Sequence, residues 1–406
     1  MSSGRRRSGS RRRRRPTSDI PYLTQSEDLR AFCERARAVG RIGMDTEFVR
    51  DKTYYPKLAL VQLIVEDQIY LVDPLDRIDL SPLDALVLDP DVEKVLHAAT
   101  QDLEIFFYRT KAAPRNIFDT QVAAALVGLG HQVGYATLTK KVLGVSLTKD
   151  SQYTDWLRRP LSETQDRYAA ADVEYLFPLR EHLVTQLEEM KRMPLLREEC
   201  ALLEPIDNYH SDPAESYRRI KGRRGVKGTR LSALRALGAW REKQAQKRNL
   251  PRRWVLPDDT LIALARNLPE SLGELASIRG LSGRVQAQHG ADILATIAKG
   301  RTQPPPASAE KAAELSARGR AAMELVSALV RSLCHAQRIA PAVVSTTAVI
   351  EDLVAQWEAD SLEKSDNPLL KGWRSELFGS ELIDFLNGTI QVSLDSETGL
   401  LVIHRP

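Results

Sequence analysis

The apolar residues of this chain first recur in a helical rhythm. Between Ser26 and Val39, the residues Leu29, Phe32, Cys33 and Ala36 share one helix face, which predicts an amphipathic helix. The rhythm then changes. Residues 42–49, 57–65 and 68–72 are dominated by apolar and β-branched side chains and predict three strands, closed by a turn at Asp73-Pro74. Residues 92–98 predict a short strand that leads into a helix over about 100–108, and Asp119 is placed to cap the next helix. One long helix is predicted from Ser162 to Met190. Ser162-x-x-Gln165 has the form of a capping box at its start, and Pro178 is expected to kink it.

From about Asp212 the period is helical throughout. Leu231, Leu234, Leu237 and Ala239 begin one amphipathic helix, and Leu261, Ile262, Leu264 and Ala265 mark a second. Leu272, Leu275, Ile278 and Leu281 mark a third, expected to end at Gly280 or Gly283. Residues 301–306 contain three consecutive prolines and predict a stiff linker. Residues 316–390 form a second helical unit, and strand-like alternation follows over 389–404. The organisation read from these patterns is a tail (1–18), an α/β domain (19–208), a helical domain (212–300), a linker (301–315) and a second helical domain (316–406). The α/β domain is expected to survive truncation near residue 208.

Composition narrows the function classes. The chain has 406 residues, 43% hydrophobic and 28% charged, the balance of a globular protein. No apolar run approaches the roughly 18–20 residues of a membrane span, and no apolar segment follows the first arginines as a secretory signal requires. Cys33, Cys200 and Cys334 are far apart and make neither a disulfide framework nor a paired zinc spacing, so a cytoplasmic setting is expected. The net charge of +4 hides a strong division. Residues 1–18 carry eight arginines and no acid, and lack the apolar residues that would repay ordering. Residues 19–190 carry 28 acids and 19 bases, whereas residues 215–255 carry 14 bases and two acids. An acidic centre between two basic segments suits a polyanionic partner held by one part of the chain and processed by another.

The candidate chemistry lies in four carboxylates and a tyrosine. Asp45 and Glu47 stand at i and i+2 of a strand and so share a sheet face. Asp102 lies near the start of a helix, and Tyr168 and Asp172 stand at i and i+4 of another. Singly, each has a plain structural explanation: an exposed strand edge, an acid at a helix N-terminus, a surface pair. Clustered together, the acids would repel one another, and hard divalent cations such as Mg²⁺ or Mn²⁺ would cancel that repulsion. Two such ions make the usual clamp for in-line phosphodiester displacement. No phosphate-binding glycine loop or His-Glu-x-x-His pattern competes.

These residues sit in recognisable motifs. Met44-Asp45-Thr46-Glu47-Phe48-Val49, Tyr54-Tyr55-Pro56 and Leu60-Val61-Gln62-Leu63 resemble the first exonuclease motif of the ribonuclease D family. Leu96-His97-Ala98-Ala99 with Asp102-Leu103-Glu104 resembles the second. Thr154-Asp155-Trp156-Leu157, Arg159-Pro160-Leu161, Gln165, Tyr168-Ala-Ala-Ala-Asp172-Val173 and Tyr175-Leu176 resemble the third, in the tyrosine subclass of the DEDD exonucleases. The resemblance implies an α/β ribonuclease H-like exonuclease domain that hydrolyses RNA 3′→5′ and releases nucleoside 5′-monophosphates. It implies that Asp45, Glu47, Asp102 and Asp172 hold two divalent metal ions and that Tyr168 orients the attacking water. His97 is expected to be structural, Asp155 and Trp156 to support a loop, and Phe48 to face the core.

The basic segment continues into Leu237-Gly-Ala-Trp240-Arg241 and Ser271-Leu-Gly-Glu-Leu275, which resembles an HRDC domain, a helical nucleic-acid-binding module. Trp240 is expected in its core. Leu370-Lys-Gly372-Trp373-Arg374 resembles a second HRDC-like domain, giving two all-α units after the nuclease. The implied partner is RNA with 3′ tails, tRNA precursors above all, and the protein is expected to act as a monomer. Two other readings stay open on the residues: a 3′→5′ DNA exonuclease, since nothing shows how a 2′-hydroxyl is treated, and a non-catalytic RNA-binding adapter, against which the full carboxylate set argues.

Overall fold

Six strands form one mixed sheet. In the computed structural model, which describes residues 19–148, 154–210, 212–305 and 315–405, the sheet contains β1 (Tyr22–Leu23), β2 (Arg41–Val49), β3 (Lys57–Val65), β4 (Gln68–Val72), β5 (Glu93–Leu96) and β6 (Ile117–Asp119). Their spatial order is β1-β4-β3-β2-β5-β6, with β2, β3 and β4 antiparallel and the β2–β5 and β5–β6 pairs parallel. All of β3 after Lys57 is buried, because helices cover both sheet faces at its centre; this is why it reads as an apolar run interrupted after Lys57 only by Gln62. The arginine-rich tail and residues 306–314 of the expected linker lie outside the described residues.

The helices of this part are α1 (Ser26–Val39), α2 (Ser81–Leu88), α3 (Thr100–Thr110), α4 (Thr120–Leu126), α5 (Tyr135–Leu143), α6 (Glu163–Glu174), α7 (Leu176–Glu189) and α8 (Met193–Ala201). Asp119 caps α4 by accepting from Gln121 N, and Ser162 and Gln165 form the capping box of α6. The expected single helix from Ser162 to Met190 is two helices. It breaks at Tyr175 (φ −103°, ψ 6°), upstream of Pro178. A proline lacks the N–H that would bond back to residue 174, and in the first turn of α7 that N–H has no intrahelical partner anyway.

The first helical unit comprises α9 (Gly228–Arg248), α10 (Arg252–Val255), α11 (Asp258–Asn267), α12 (Leu272–Ala276) and α13 (Gly283–Thr302). Gly283 begins a helix rather than ending one: the Ser282 hydroxyl caps α13 by accepting from Val285 N. The second unit repeats this order with α14 (Ala317–Gln337), α15 (Pro341–Val344) and α16 (Thr347–Glu358), followed by α17 (Gly372–Arg374), α18 (Ser380–Leu386) and a hairpin of β7 (Gln391–Leu394) and β8 (Leu401–His404). Gly228 and Ala317, Arg252 and Pro341, and Asp258 and Thr347 are each 89 residues apart. Both long helices have 21 residues and end on a left-handed residue, Asn249 and Arg338. A backbone repeat with little sequence repetition is invisible to a search for repeated motifs.

Residues 19–208 share part of their core with the second helical unit. Leu179, Leu183, Leu187 and Leu196 of α7 and α8 belong to one continuous apolar core with Val326, Leu329, Leu353 and Trp373 of the second helical unit. Buried Arg192 donates to Leu126 O (2.8 Å) and to the carbonyl of Gln337, Glu199 binds Trp373 Nε1 (2.8 Å) and Arg374 (2.7 Å), and Ala340 N bonds Ala125 O (3.0 Å). Gly128 (φ +81°) sits so close to the Arg338 carbonyl that a Cβ there would fall 2.7 Å from its oxygen. Cutting near residue 208 would expose this face.

Candidate active site

The register of β2 on β3 builds the floor of the site. Asp45 pairs with Gln62, Thr46 with Val61 and Glu47 with Leu60 before the register shifts between Glu47 and Phe48. Asp45 and Glu47 thus face α6, which packs on β2, β3 and β4 and brings in Asp172. One carboxylate oxygen from each of Asp45, Glu47 and Asp172 lies within 4.8 Å of the others. Phe48 is partly buried against the core on the α1–α3 side.

Thr46 faces the other way, and its hydroxyl donates to Asp102 Oδ1, holding that carboxylate in place. Asp102 stands beside the trio rather than within it, close enough for its charge to raise the pKa of Asp45, Glu47 and Asp172. Its position is set by Asp119, whose carboxylate accepts from Ala98 N (3.0 Å) and Ala99 N (2.9 Å) in the turn leading into α3. Ala98 there has φ +57°.

Burial first, then repulsion by neighbouring acids of the cluster, pushes three of the acids upward: Asp45 well above the ordinary carboxylate range, Glu47 to about 8, and Asp172 to about 7. Asp102 rises to about 7 through burial, against the pull of the Thr46 hydroxyl. A donor set of carboxylate oxygens alone, each destabilised by the others' charge, fits a hard divalent cation and no softer metal.

Tyr168 is one turn before Asp172 on α6, half-buried, with its ring 6.1 Å from that of buried Trp156. The loop carrying Trp156 is anchored by Arg159, which binds the Asp73 carboxylate and donates to Trp156 O (2.6 Å) and Ala59 O (2.5 Å). Asp155 accepts from Leu157 N (3.0 Å) in the same loop. A cavity of about 160 Å³ opens beside Tyr168 and Asp172, walled by Gly134, Tyr135 and Thr148. His97 lies outside the carboxylate cluster: its Nδ1 meets Thr120 Oγ1 (2.8 Å) and its Nε2 Val133 O (2.9 Å), and burial lowers its pKa.

Two residues carry a relation to the site that the sequence reading did not assign. Tyr135 is a half-buried phenol whose pKa is raised by burial and then by Asp172 and Asp45; its oxygen accepts from Tyr175 N (3.0 Å) at the α6–α7 break. No local pattern marks it. Gln62 is fully buried opposite Asp45, and among the described residues neither polar atom of its amide has a hydrogen-bond partner. Its signal was present: an amide inside an apolar strand.

Residues 20–188 match the 3′–5′ exonuclease family model, and residues 230–297 match that of the HRDC domain. The chain is 38% identical to ribonuclease D of Gluconacetobacter diazotrophicus, over 93% of this chain and 95% of that protein. It is 35% identical to ribonuclease D of Escherichia coli, over 90% and 97%. The crystal structure of the Escherichia coli enzyme, described as an exoribonuclease involved in structured RNA processing, superposes with a TM-score of 0.79, covering 91% of this chain and 99% of that one. Similarity of this extent, over nine-tenths or more of both chains, means that the chain belongs to the ribonuclease D family of 3′–5′ exoribonucleases.

Proposed function

We propose that the protein trims the 3′ ends of structured RNAs, tRNA precursors among them, releasing nucleoside 5′-monophosphates with the aid of two Mg²⁺ or Mn²⁺ ions. The observation that carries this reading is the convergence of Asp45, Glu47 and Asp172 on one point, with Asp102 beside them and Tyr168 one helical turn away. Bound there, divalent ions supply a nucleophilic hydroxide at neutral pH and stabilise charge on the phosphate and the departing 3′-oxygen. The chain's own part is to hold the carboxylates on rigid elements. Asp45 and Glu47 come from the centre of the sheet, and Asp172 and Tyr168 from one helix. Thr46 holds Asp102, and Asp119 fixes the turn before it. Tyr168 orients the attacking water through its hydroxyl.

The remaining parts serve binding. The segment 215–255 supplies cations that neutralise phosphates and release counterions. Residues 316–406 form a second HRDC-like unit, a reading supported by the 89-residue repeat, and that unit chiefly completes the architecture. The test is purified protein with Mg²⁺ or Mn²⁺, offered end-labelled tRNA precursor and a matched single-stranded DNA. Stepwise 3′ shortening of the RNA with release of 5′-monophosphates is expected. Equal or faster cleavage of the DNA would favour a DNA exonuclease, and no cleavage of either would leave only RNA binding.

A further inference from the structure

A cleft of about 670 Å³ lies between the nuclease and the first helical unit. One wall is the end of β2 and the outer side of α3, with Arg50 and Tyr108; the other is α10 and the segment before α9, with Lys221, Arg253 and Trp254. Six arginines and lysines line it against three carboxylates. Three of those cations are tied down: Arg50 to Glu104, Arg241 to Asp258 and Arg252 to Glu242. Lys221 and Arg253 are exposed and make no ion pair among the described residues.

Between these cations stands a large apolar surface. Trp254 is 60% exposed. It is not needed for packing, because the next two residues, Val255 and Leu256, fill the core beneath α10. Trp240, the tryptophan singled out by the sequence, is by contrast packed into the unit, edge-on to His289 at 5.5 Å. An exposed indole flanked by free cations is what a single-stranded nucleic acid needs: a flat face for a base and charges for its phosphates.

The cleft is also in the right place. Arg50 follows Glu47 by three residues along an extended strand, about 10 Å, and Glu104 follows Asp102 by two. The two elements that carry Glu47 and Asp102 thus also contribute side chains to this cleft. Resting on the exoribonuclease reading, we infer that the cleft is a substrate subsite that stacks an internal base of the RNA on Trp254 and meets the adjoining phosphates with Lys221 and Arg253.

The test uses the full chain and fluorescein-labelled oligoadenylate of about twelve nucleotides. Binding is followed by anisotropy in EDTA, where no cleavage is needed. Trp254→Ala is expected to weaken binding about tenfold, the size of one lost base–aromatic stack, and Trp254→Phe to restore most of it. Lys221→Glu with Arg253→Glu is expected to weaken binding further and flatten its salt dependence. With Mg²⁺ present, Trp254→Ala should lower the ratio of kcat/KM for the long oligonucleotide over a dinucleotide about tenfold, through KM. Wild-type affinity and salt slope in both the Trp254→Ala and the double variant would overturn the subsite. Should Trp254→Ala melt at a lower temperature, Trp254→Phe against the charge-reversed pair decides the matter. Failure of the wild type to release 5′-monophosphates from either substrate would overturn the exoribonuclease reading instead, and the anisotropy series tells the two failures apart.

Discussion

The hydroxyl of Tyr54, in the loop that follows the Asp45–Glu47 strand, donates to the carboxylate of Glu242 on α9, at 2.5 Å. Glu242 is 1% exposed and also binds Arg252 through two nitrogens, at 2.5 and 2.7 Å. Asn249 Oδ1 accepts from Tyr54 N and Tyr55 N at 3.1 and 3.0 Å. The nuclease is thus fastened to the first helical unit through the loop that follows the strand bearing Asp45 and Glu47. Tyr54→Phe removes a hydrogen bond to a charged group, worth about 1.5–3 kcal/mol. It also deprives Gln246 and Arg252 of a shared acceptor. Thermal melts should show a fall of several degrees, and unchanged melting would mean that the contact adds nothing to the joint.

The acidic cluster gives the sharpest activity prediction. Asp45→Asn or Asp172→Asn each removes a ligand charge while relieving repulsion between the carboxylates, so hydrolysis should fall at least about 100-fold with the fold intact. Circular dichroism and a 3′-labelled RNA assay test both halves. Activity above a few per cent in both variants is incompatible with metal binding by these residues.

The same cluster predicts how stability depends on pH. Glu47, Asp102 and Asp172 rise to about 8, 7 and 7, and Asp45 rises too, so the folded chain holds more protons than the unfolded chain between about pH 4 and 8. Stability from these groups is therefore complete below about pH 4, falls steadily as pH rises from there, and is fully lost once pH has passed about 8. In EDTA, the Tm contribution of the cluster should fall over that window. Asp45→Asn should flatten the fall and raise the Tm at pH 8 by a few degrees relative to wild type. A wild-type slope in Asp45→Asn would show that these acids do not repel one another.

Tyr168→Phe keeps the ring packed on Trp156 and removes only the hydroxyl. A rate loss of about 10²–10⁴-fold with little change in RNA affinity is expected from single-turnover kinetics. A near-wild-type rate would reduce Tyr168 to a packing role.

Much of this was legible along the chain because it is local. Ser26–Val39, Lys57–Val65 and Gln68–Val72 have the predicted bounds, since amphipathic period and β-branched runs are properties of neighbours in sequence. Asp45 and Glu47 share a face for the same reason. What escaped was long-range. The common core of Leu187 and Val326, the hold of Arg192 on Gln337 and the Tyr54–Glu242 joint link segments more than 130 residues apart, and no period records them. The helix breaks at Tyr175 and not at Pro178, because a proline in the first turn of a helix forfeits no intrahelical hydrogen bond. Trp254 went unread because exposure is decided by which neighbours, Val255 and Leu256, take the core.

Gln62 allows a last prediction in which stability and activity part company. It lies across the ladder from Asp45, fully buried, with both amide atoms lacking partners among the described residues. An unmet buried amide costs on the order of 1–3 kcal/mol, and an apolar group of similar shape removes that cost. Gln62→Leu should therefore raise the Tm by a few degrees, whereas Gln62→Ala should lower it by leaving a cavity. Such a cost, kept beside a cluster of carboxylates, is the usual mark of a site where stability is given up for function. The more stable Gln62→Leu protein should hydrolyse RNA at least about tenfold more slowly. Its affinity for Mn²⁺, followed by calorimetry, should fall in step as Asp45 loses its polar neighbour. If Gln62→Leu is both more stable and fully active, the amide serves neither the fold nor the reaction. If it is less stable, Gln62 is held in the folded chain by partners that bind it in solution.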